Sequence, residues 1–284
     1  MIVKPQDRAS QFKQLRNGGL QKKGLSTGFT DLDENIKLAK GFMAIITGYP
    51  GCGKSEFLDA ILVNMAVLHD WKTMYYSPEN HPIEQHMTKI SEKFIGKHIT
   101  KMTPDDLDNA LDFMGSHFTW MYPDNPKLDT LLNLATEETE SNGLDCLVID
   151  PWNAVTHGHS GQLIHEYLSD ALSKVIRFTR DKDVLSCIVA HPTKPLREKD
   201  GSFPVPDLYS ISDGAMWRNK ADYGWVFNRP DMSKNEIDMY VQKRKNKWMG
   251  ELGMKSFDYD WVTGRFKGKN EKEFLLPSDC ESAF

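Results

Sequence analysis

The chain has 284 residues, with 35 Lys and Arg against 40 Asp and Glu, which gives a formal net charge of −5. This length suits one large domain or two small ones with a sizeable core, and no apolar run is long enough to span a bilayer. Overall charge gives no support for nucleic-acid binding, so such binding would need a local basic surface.

The chain begins with a polar segment, residues 1–23, which is rich in Gln, Lys and Arg. It predicts a short helix and a linker outside the core, and an arm onto a neighbouring molecule and a frayed terminus are equally open. The segment lacks the apolar core of a signal peptide. The four cysteines are widely spaced, and Cys146 and Cys187 lie in apolar runs, where we expect them to be buried. We therefore expect a reducing, cytoplasmic location.

From Leu25 onward, strand-like and helix-like runs alternate. The strand-like runs are Phe42–Thr47, Thr73–Ser77, Phe118–Tyr122, Cys146–Ile149, Leu185–Ala190 and Tyr223–Phe227. The helix-like runs are Glu56–His69, Ile83–Ile95, Pro104–Gly115, Leu128–Glu140 and Leu163–Arg180. This alternation predicts an α/β fold with a mostly parallel, twisted sheet and helices on both faces.

The alternation of strands and helices ends after Tyr223. Beyond it, Ile237–Lys243 and Met254–Tyr259 are predicted strands joined by a short basic segment. These runs predict an antiparallel extension of the parallel core. A polar, proline-bearing stretch, residues 194–212, precedes them, and a loop of this length in a compact domain is usually functional or mobile.

The first chemical motif is Gly48 to Ser55, GYPGCGKS, which matches the Walker A pattern between a predicted strand and a predicted helix. Glycines allow the backbone to turn its N–H groups towards phosphate oxygens, and the helix N-terminus adds partial positive charge. Lys54 can reach the β- and γ-phosphates, and the Ser55 hydroxyl can bind Mg²⁺. The candidate nucleotide contacts are Gly48, Pro50, Gly51, Cys52, Gly53, Lys54, Ser55, Glu56, Asp150, Arg229 and Phe266.

Three other predicted strands end in polar residues that suit hydrolysis. Asp150 follows four apolar residues in the Walker B manner and would hold Mg²⁺ through water. Glu79 follows another strand and could orient the attacking water, with a solvated turn residue as the alternative. His191 could donate a hydrogen bond to the γ-phosphate, with a strand-end cap as the alternative. Carboxyl ends of neighbouring parallel strands converge on the ligand. The remaining histidines are expected at the surface or in turns: His81, His86, His117, His157, His159 and His165.

A fifth motif is the basic run Lys243, Arg244, Lys245, Asn246 and Lys247, four cations in five positions of an acidic chain. It reads either as a solvated basic turn or as a finger that inserts into the site of the next subunit. A cation delivered in this way stabilises charge on the transferred phosphoryl group.

Taken together, these motifs resemble the RecA-like ATPase domain of hexameric replicative DNA helicases, the group of bacterial DnaB, phage primase–helicases and mitochondrial Twinkle. The resemblance rests on GLSTGFTDLD before the Walker strand, then GYPGCGKS, YYSPE, LDCLVIDP, CIVAHPTKP, SDGAMWRNKADYGWVFNR, and the closing TGRF. It covers roughly residues 24–268, leaving residues 1–23 as an arm and 269–284 as a tail.

The resemblance implies a homo-oligomeric ring, usually of six, with ATP and Mg²⁺ at subunit boundaries and single-stranded DNA in the channel. It also implies 5′-to-3′ translocation driven by hydrolysis. By position, Glu79 becomes the catalytic base, His191 the γ-phosphate sensor and Phe266 the aromatic against adenine. Residues 152–162 and the loop after His191 match channel-facing loops, and in the second of these the candidate phosphate contacts are Lys194, Arg197 and Lys199.

The sequence departs from the family pattern in three respects. No primase or zinc-ribbon segment and no N-terminal collar precedes the ATPase domain, so we expect any primase or polymerase partner to be a separate chain. The finger usually reads Lys-x-Arg, whereas the matching positions here are Lys243 and Lys245 around Arg244. Lysine lacks the planar fork of arginine, so the sequence leaves open which of the three is the finger.

The leading hypothesis is an ATP-driven replicative helicase of phage type. The alternative is a RecA-fold, DNA-dependent ATPase that acts as a recombination mediator or helicase loader without unwinding. A nucleotide kinase would need an arginine-rich lid and an acceptor pocket, and the sequence has neither.

Overall fold

The structure, a computed structural model, describes residues 3–16, 24–156, 163–194, 197–199, 203–212 and 214–270. Its strands are β1 (Met43–Gly48), β2 (Thr73–Tyr76), β3 (Phe118–Trp120), β4 (Cys146–Ile149), β5 (Leu185–Val189), β6 (Tyr223–Asn228), β7 (Glu236–Arg244), β8 (Gly253–Asp260) and β9 (Arg265–Gly268). Its helices are α1 (Ala9–Arg16), α2 (Thr30–Asp33), α3 (Lys54–His69), α4 (Ile83–Ile95), α5 (Pro104–His117), α6 (Leu128–Ser141), α7 (Ile164–Asp181) and α8 (Gly214–Lys220).

The nine strands form one sheet in the order β3-β2-β4-β5-β1-β6-β7-β8-β9. The first six are parallel, and β7, β8 and β9 continue the sheet in antiparallel fashion. The predicted α/β class and its antiparallel extension are therefore confirmed. Sequential strands are separated by helical crossovers in the parallel half, while short turns suffice in the antiparallel half.

The central strands β1, β4 and β5 are buried along their whole length because both faces of the sheet are covered. On one face, α3 packs on the sheet with Phe57 at the centre of a cluster of Phe29, Phe227, Phe257 and Phe266 rings. On the other face, α6 and α7 cover the alternate residues of the same strands. The two layers hold the ends of the parallel strands in fixed relative positions, which positions the site described below.

Three of these elements were not predicted from the sequence: α2, α8 and β9. All are short, with four, seven and four residues, so each offers too few positions for a periodic pattern to be read. The predicted helix near the N-terminus is present as α1. The elements that were predicted lie within a few residues of their expected bounds, and Ile83–Ile95 matches its helix at both ends.

The expectation that His86 lies at the surface or in a turn was wrong. Its side chain is fully buried on α4, with Nε2 3.2 Å from both Asp59 carboxylate oxygens. The Trp120 indole N–H donates to His86 Nδ1 at 2.9 Å, and the Tyr75 hydroxyl donates to Asp59 at 3.0 Å. Each polar group in this buried cluster has a partner, which makes its burial tolerable. His157 and His159 lie outside the described residues.

Cys146 and Cys187 are buried on neighbouring strands as expected, and both are free thiols. Cys280 lies outside the described residues. Among the residues that the structure describes, none of the helices combines the length and apolarity needed to cross a bilayer.

Candidate nucleotide site

The parallel strands end at one edge of the sheet, where the predicted motifs meet. The register pairs Gly48 at the end of β1 with Phe227 on β6, and Ile149 on β4 with Tyr76 on β2. Asp150, Glu79 and His191 follow the ends of their strands at this edge. The topology therefore brings together residues that lie far apart in the sequence, as expected for a ligand site at the carboxyl ends of parallel strands.

The Walker A segment forms a tight loop between β1 and α3. A Cβ atom on Gly48 would lie 2.5 Å from the Phe227 carbonyl oxygen, so the closeness of the backbones requires glycine here. Gly53 has φ of 88°, in the left-handed region that glycine adopts at little cost. No side chain caps the start of α3, so its first N–H groups remain available for an anion.

A cavity of about 520 Å³ opens at this loop, within the size range of small-molecule sites. Its lining contains every predicted nucleotide contact except Gly48, together with Glu79 and His191. The lining also contains residues that were not predicted: Asn80, Lys89, Asn235, Glu236, Ile237 and Tyr259.

Asp150 and Ser55 face each other across the base of this cavity. Burial raises the pKa of Asp150 to about 6, and the hydrogen bond from Ser55 and the charge of Lys54 oppose that rise. A carboxylate that is buried at this cost is the kind of ligand that a hard cation would stabilise. Among the described residues there is no cluster of three or more His, Cys, Asp or Glu side chains that could hold a metal. The Ser55 hydroxyl and the Asp150 carboxylate are oxygen ligands that fit Mg²⁺, which binds through one or two protein groups and completes its shell with phosphate and water.

Glu79 and His191 approach each other at the open side of the cavity, where His191 Nε2 lies 3.9 Å from Glu79 Oε1. The Glu79 side chain is 63% exposed, so its carboxylate is free to meet a water molecule. Burial and the charge of Lys54 lower the pKa of His191 below its usual value. Burial and Lys54 thus favour the neutral imidazole of His191, which can still donate one hydrogen bond.

Glu56, the residue after Ser55, is committed to ion pairs with two lysines of α4. Lys89 Nζ lies 2.8 Å from Glu56 Oε1, and Lys93 Nζ lies 2.6 Å from Oε2. Burial opposes ionisation of Glu56, but the two ammonium groups lower its pKa to about 2. Lys89 also donates to Asn80 Oδ1 at 3.0 Å. The side chain of Glu56 thus links α3, the helix that follows the Walker A loop, to α4.

The far end of the cavity is aromatic. Phe266 lines it, but its side chain is only 3% exposed, and it packs on Phe57 with ring centroids 4.7 Å apart. The Tyr259 ring lies beside it, with centroids 4.8 Å apart and planes tilted by 37°, and is less buried. Arg229 also lines the cavity, and its guanidinium donates to the Lys234 carbonyl at 2.6 and 3.0 Å. The pairing of β8 with β9 brings Tyr259 opposite Phe266, which the sequence did not reveal.

The basic segment lies at the end of β6 that is opposite to the cavity. Arg244 at the end of β7 pairs with Tyr223 at the start of β6, whereas the cavity lies beyond the other end of β6. The Lys245 ammonium lies 2.5 Å from the carboxylate of buried Asp222, and Lys243 donates to the Arg218 and Asn219 carbonyls. The Arg244 guanidinium donates a long hydrogen bond, 3.4 Å, to the Asn246 carbonyl.

The turn after this segment is attached to the core rather than free in solvent. Met249 is buried, Trp248 packs on Phe42, and a Cβ atom on Gly250 would lie 2.2 Å from the Asn35 carbonyl oxygen. The predicted hairpin is therefore present, with a tip fixed to the chain before β1.

Both predicted DNA loops leave the same edge of the sheet as the cavity. In the first, Trp152 is buried against Trp217, with ring centroids 5.4 Å apart, and residues 157–162 lie outside the described residues. In the second, Lys194, Arg197 and Lys199 are exposed.

No protein-family model matches the chain. The chain is 32% identical over 263 residues to the Twinkle homolog protein, chloroplastic/mitochondrial, of Arabidopsis thaliana, a match that covers 86% of this chain and 36% of that protein. It is 27% identical over 262 residues to a probable plasmid replicative DNA helicase of Chlamydia psittaci, with 87% of this chain and 56% of that protein covered. The chain thus spans between about a third and just over half the length of these relatives.

Two solved structures share the fold. One is an ATPase domain that superposes with a TM-score of 0.76 at 16% identity, covering 94% of this chain and 99% of that one. The other, a DnaB-like replicative helicase determined with its interactions with primase, has the same TM-score and identity and covers 92% of this chain and 67% of that one. The chain therefore has the RecA-like ATPase fold of DnaB-type helicases, and its sequence resembles part of the Twinkle homolog of Arabidopsis thaliana.

Proposed function

We propose that this chain is the ATPase domain of a replicative DNA helicase that hydrolyses ATP to move along single-stranded DNA. The observation that carries the proposal is the convergence of Lys54, Ser55, Asp150, Glu79 and His191 on one cavity in a fold of DnaB type. The domain bounds expected from the sequence, an arm at 1–23, the ATPase domain at 24–268 and a tail at 269–284, belong to this proposal. The same holds for a phage-type replication role and a cytoplasmic location.

The chemistry follows from the positions of these groups. The Walker loop and Lys54 hold the phosphates, and Ser55 and Asp150 hold Mg²⁺. Bound Mg·ATP supplies the phosphoryl group that is transferred to water. Glu79 is exposed and can orient a water molecule and take up its proton. His191 can donate a hydrogen bond to the terminal phosphate, so loss of that phosphate changes the hydrogen bonding at the start of the loop that carries Lys194.

We propose that a neighbouring subunit supplies the cation that stabilises the transferred phosphoryl group. A strand rises roughly 3.3 Å per residue, so the six residues of β6 separate the basic segment from its own cavity by about 17 Å. The side chain of Arg244 cannot span this distance, whereas it could enter the cavity of the next copy. We propose a ring, most simply a hexamer, and we favour Arg244 as the finger because Lys243 and Lys245 are bound within their own chain.

The arm at the N-terminus is a second proposed contact between copies. The α1 helix is exposed, with Phe12 75% accessible beside Lys13 and Arg16. Leu107 and Leu111 are exposed on α5 among acidic residues, 39% and 53% accessible. These two surfaces are complementary in charge and both carry apolar side chains that a contact would cover.

DNA binding is proposed through Lys194, Arg197 and Lys199, whose exposed charges would be concentrated in one channel by a ring. We expect each Lys→Ala or Arg→Ala change to weaken binding of oligo-dT and to lower the salt dependence by about one counterion per subunit contact. Single-strand binding that does not depend on salt would contradict this assignment.

The test of the function is strand displacement on forked substrates with a single-stranded tail of either polarity. We expect ATP-dependent displacement that needs a 5′ tail and is absent from Lys54→Ala. ATP-stimulated DNA binding without displacement would favour a mediator or loader instead, and displacement from a 3′ tail would refute the expected polarity. A separate primase or polymerase is the expected partner, testable by co-sedimentation with the ring.

A further inference from the structure

The Walker loop touches the second DNA loop directly, through a residue that phosphate binding does not use. Tyr49 lies between Gly48 and Pro50, and its hydroxyl donates to the Pro204 carbonyl at 3.1 Å. Burial and the nearby charge of Asp207 raise the pKa of Tyr49, so the hydroxyl remains protonated and able to donate. The Tyr49 ring also packs on Phe203, with centroids 5.7 Å apart and planes tilted by 48°.

Phe203 extends this contact to a basic residue of the DNA loop. The Arg197 guanidinium carbon lies 4.4 Å from the centroid of the Phe203 ring, within the range of a cation–π contact. Arg197 is one of the three side chains proposed to bind DNA phosphates. The order Tyr49, Phe203, Arg197 therefore leads from the phosphate loop to the DNA loop through two ring contacts.

The other end of this segment is fixed to the sheet. Gln242 accepts from the Leu208 amide at 3.1 Å and donates to the Pro206 carbonyl at 3.4 Å. Leu208 is fully buried, and a Cβ atom on Gly224 would lie 2.3 Å from Leu208 Cδ1, so the two elements are in close contact. Residues 206–208 are held in this way, whereas Phe203 and Arg197 are exposed. We therefore expect a displacement of Tyr49 to be taken up at Phe203 and Arg197.

We propose that Tyr49 and Phe203 couple the nucleotide state of the cavity to the affinity of the DNA loop, with Arg197 as the DNA-binding group that they position. This proposal rests on the proposed function. Nucleotide phosphates bind the backbone next to Tyr49, so the two nucleotide states place its ring differently against Phe203. Coupling of this kind is reciprocal, and DNA must change nucleotide affinity by the same factor as nucleotide changes DNA affinity.

The experiment measures the binding of labelled oligo-dT to the full chain with Mg·ADP and with a non-hydrolysable Mg·ATP analogue. The ratio of the two dissociation constants is the coupling factor, expected at about 5–150-fold for the native chain. Fluorescent nucleotide titrations with and without oligo-dT must return the same factor. Phe203→Ala should reduce the factor several-fold towards one, while hydrolysis without DNA stays within about twofold of the native rate.

Two further variants distinguish coupling from damage to the loop. Phe203→Tyr keeps the ring and should restore the factor. Val205→Ala is the matched control, because Val205 is 45% exposed and Phe203 44% exposed in the same segment, and it should leave the factor unchanged. Tyr49→Phe removes only the hydroxyl and should lower the factor by less than Phe203→Ala.

The two kinds of failure are separable. If Phe203→Ala binds DNA with the native coupling factor, or weakens DNA equally in both nucleotide states, the inference is wrong and the proposed function stands. If the native chain itself has a coupling factor of one, the motor interpretation fails, because a translocating protein must hold DNA differently in its two nucleotide states.

Discussion

The two ends of β6 carry two different kinds of charged surface. At the Phe227 end, residues that follow five parallel strands surround a cavity of about 520 Å³, together with residues of α3, α4 and the antiparallel strands. At the Tyr223 end, Lys243 and Lys245 already have partners within the chain. The region at the Phe227 end encloses a cavity that a ligand could fill. The basic segment at the Tyr223 end lies at the opposite end of the strand from that cavity. The hydrolysis that we propose needs both, and this difference is the reason why we propose that two copies complete one site.

The largest expected effect comes from the cavity. Glu79→Gln keeps the shape of the side chain but cannot accept a proton, so ATP hydrolysis should fall by about 10²–10⁴-fold while fluorescent ATP still binds. Steady-state phosphate release measures the first quantity and nucleotide titration the second. Glu84→Gln, an exposed carboxylate on α4, is the matched control and should hydrolyse normally. A Glu79→Gln enzyme with near-native turnover would remove Glu79 from the mechanism.

The second prediction addresses the basic segment. Arg244→Ala should slow hydrolysis by about 10³-fold or more if the residue is the finger. Lys247→Ala, an exposed cation in the same turn, should have little effect. Mixing Arg244→Ala chains with Lys54→Ala chains should recover part of the activity, because the first retain a working cavity and the second retain a working finger.

The mixing experiment distinguishes a basic segment that enters the cavity of a neighbouring copy from a solvated basic turn. Recovery by mixing requires a shared site, since neither chain is active alone. Absence of recovery, with mixed oligomers demonstrated by mass, would mean that the two edges of the sheet never meet. Recovery by Lys245→Ala chains instead of Arg244→Ala chains would assign the finger to Lys245.

The third and smaller effect is on the stability of the fold, through the ion pair between Lys245 and Asp222 near the start of β6. Asp222 is buried, and it accepts from the Met43 amide at 3.0 Å as well as from Lys245. Lys245→Ala leaves one carboxylate oxygen without its charged partner, which should cost about 1–3 kcal/mol and lower Tm by several degrees. Differential scanning fluorimetry against Lys247→Ala measures it. An unchanged Tm would mean that Lys245 is free to leave Asp222 for a neighbour.

The last prediction concerns the stability of the cavity at different pH. Asp150→Asn removes the carboxylate whose pKa burial raises to about 6. The buried charge destabilises the nucleotide-free protein above that pH and not below about pH 4, where the carboxyl is protonated in both the folded and unfolded states. Asp150→Asn should therefore raise Tm without nucleotide at pH 8 and have little effect near pH 4, while hydrolysis is lost. A lower Tm at pH 8 would show that the carboxylate is stabilised by its neighbours.

Sequence patterns predicted the elements with long, regular periodicity and the residues that follow strand ends. Asp150 and His191 could be placed because an apolar run followed by a polar residue identifies a strand end, and parallel strand ends share an edge. Lys89 and Tyr259 could not, because each reaches the cavity through packing between elements that are distant in sequence. His86 was misjudged for the same reason, since its partner Asp59 lies on a different helix.

The sequence by itself determined the phosphate loop, the order of strands and helices and the polar residues at the strand ends, because these depend on local spacing and on the two-residue and 3.6-residue periods of side chains. Only the tertiary structure decided which cations face the cavity and which are paired elsewhere. Antiparallel pairing of β6 and β7 places Arg244 at the far edge of the sheet, and packing places Tyr49 against Phe203. Both are contacts between segments whose separation along the chain carries no signal of their distance in space.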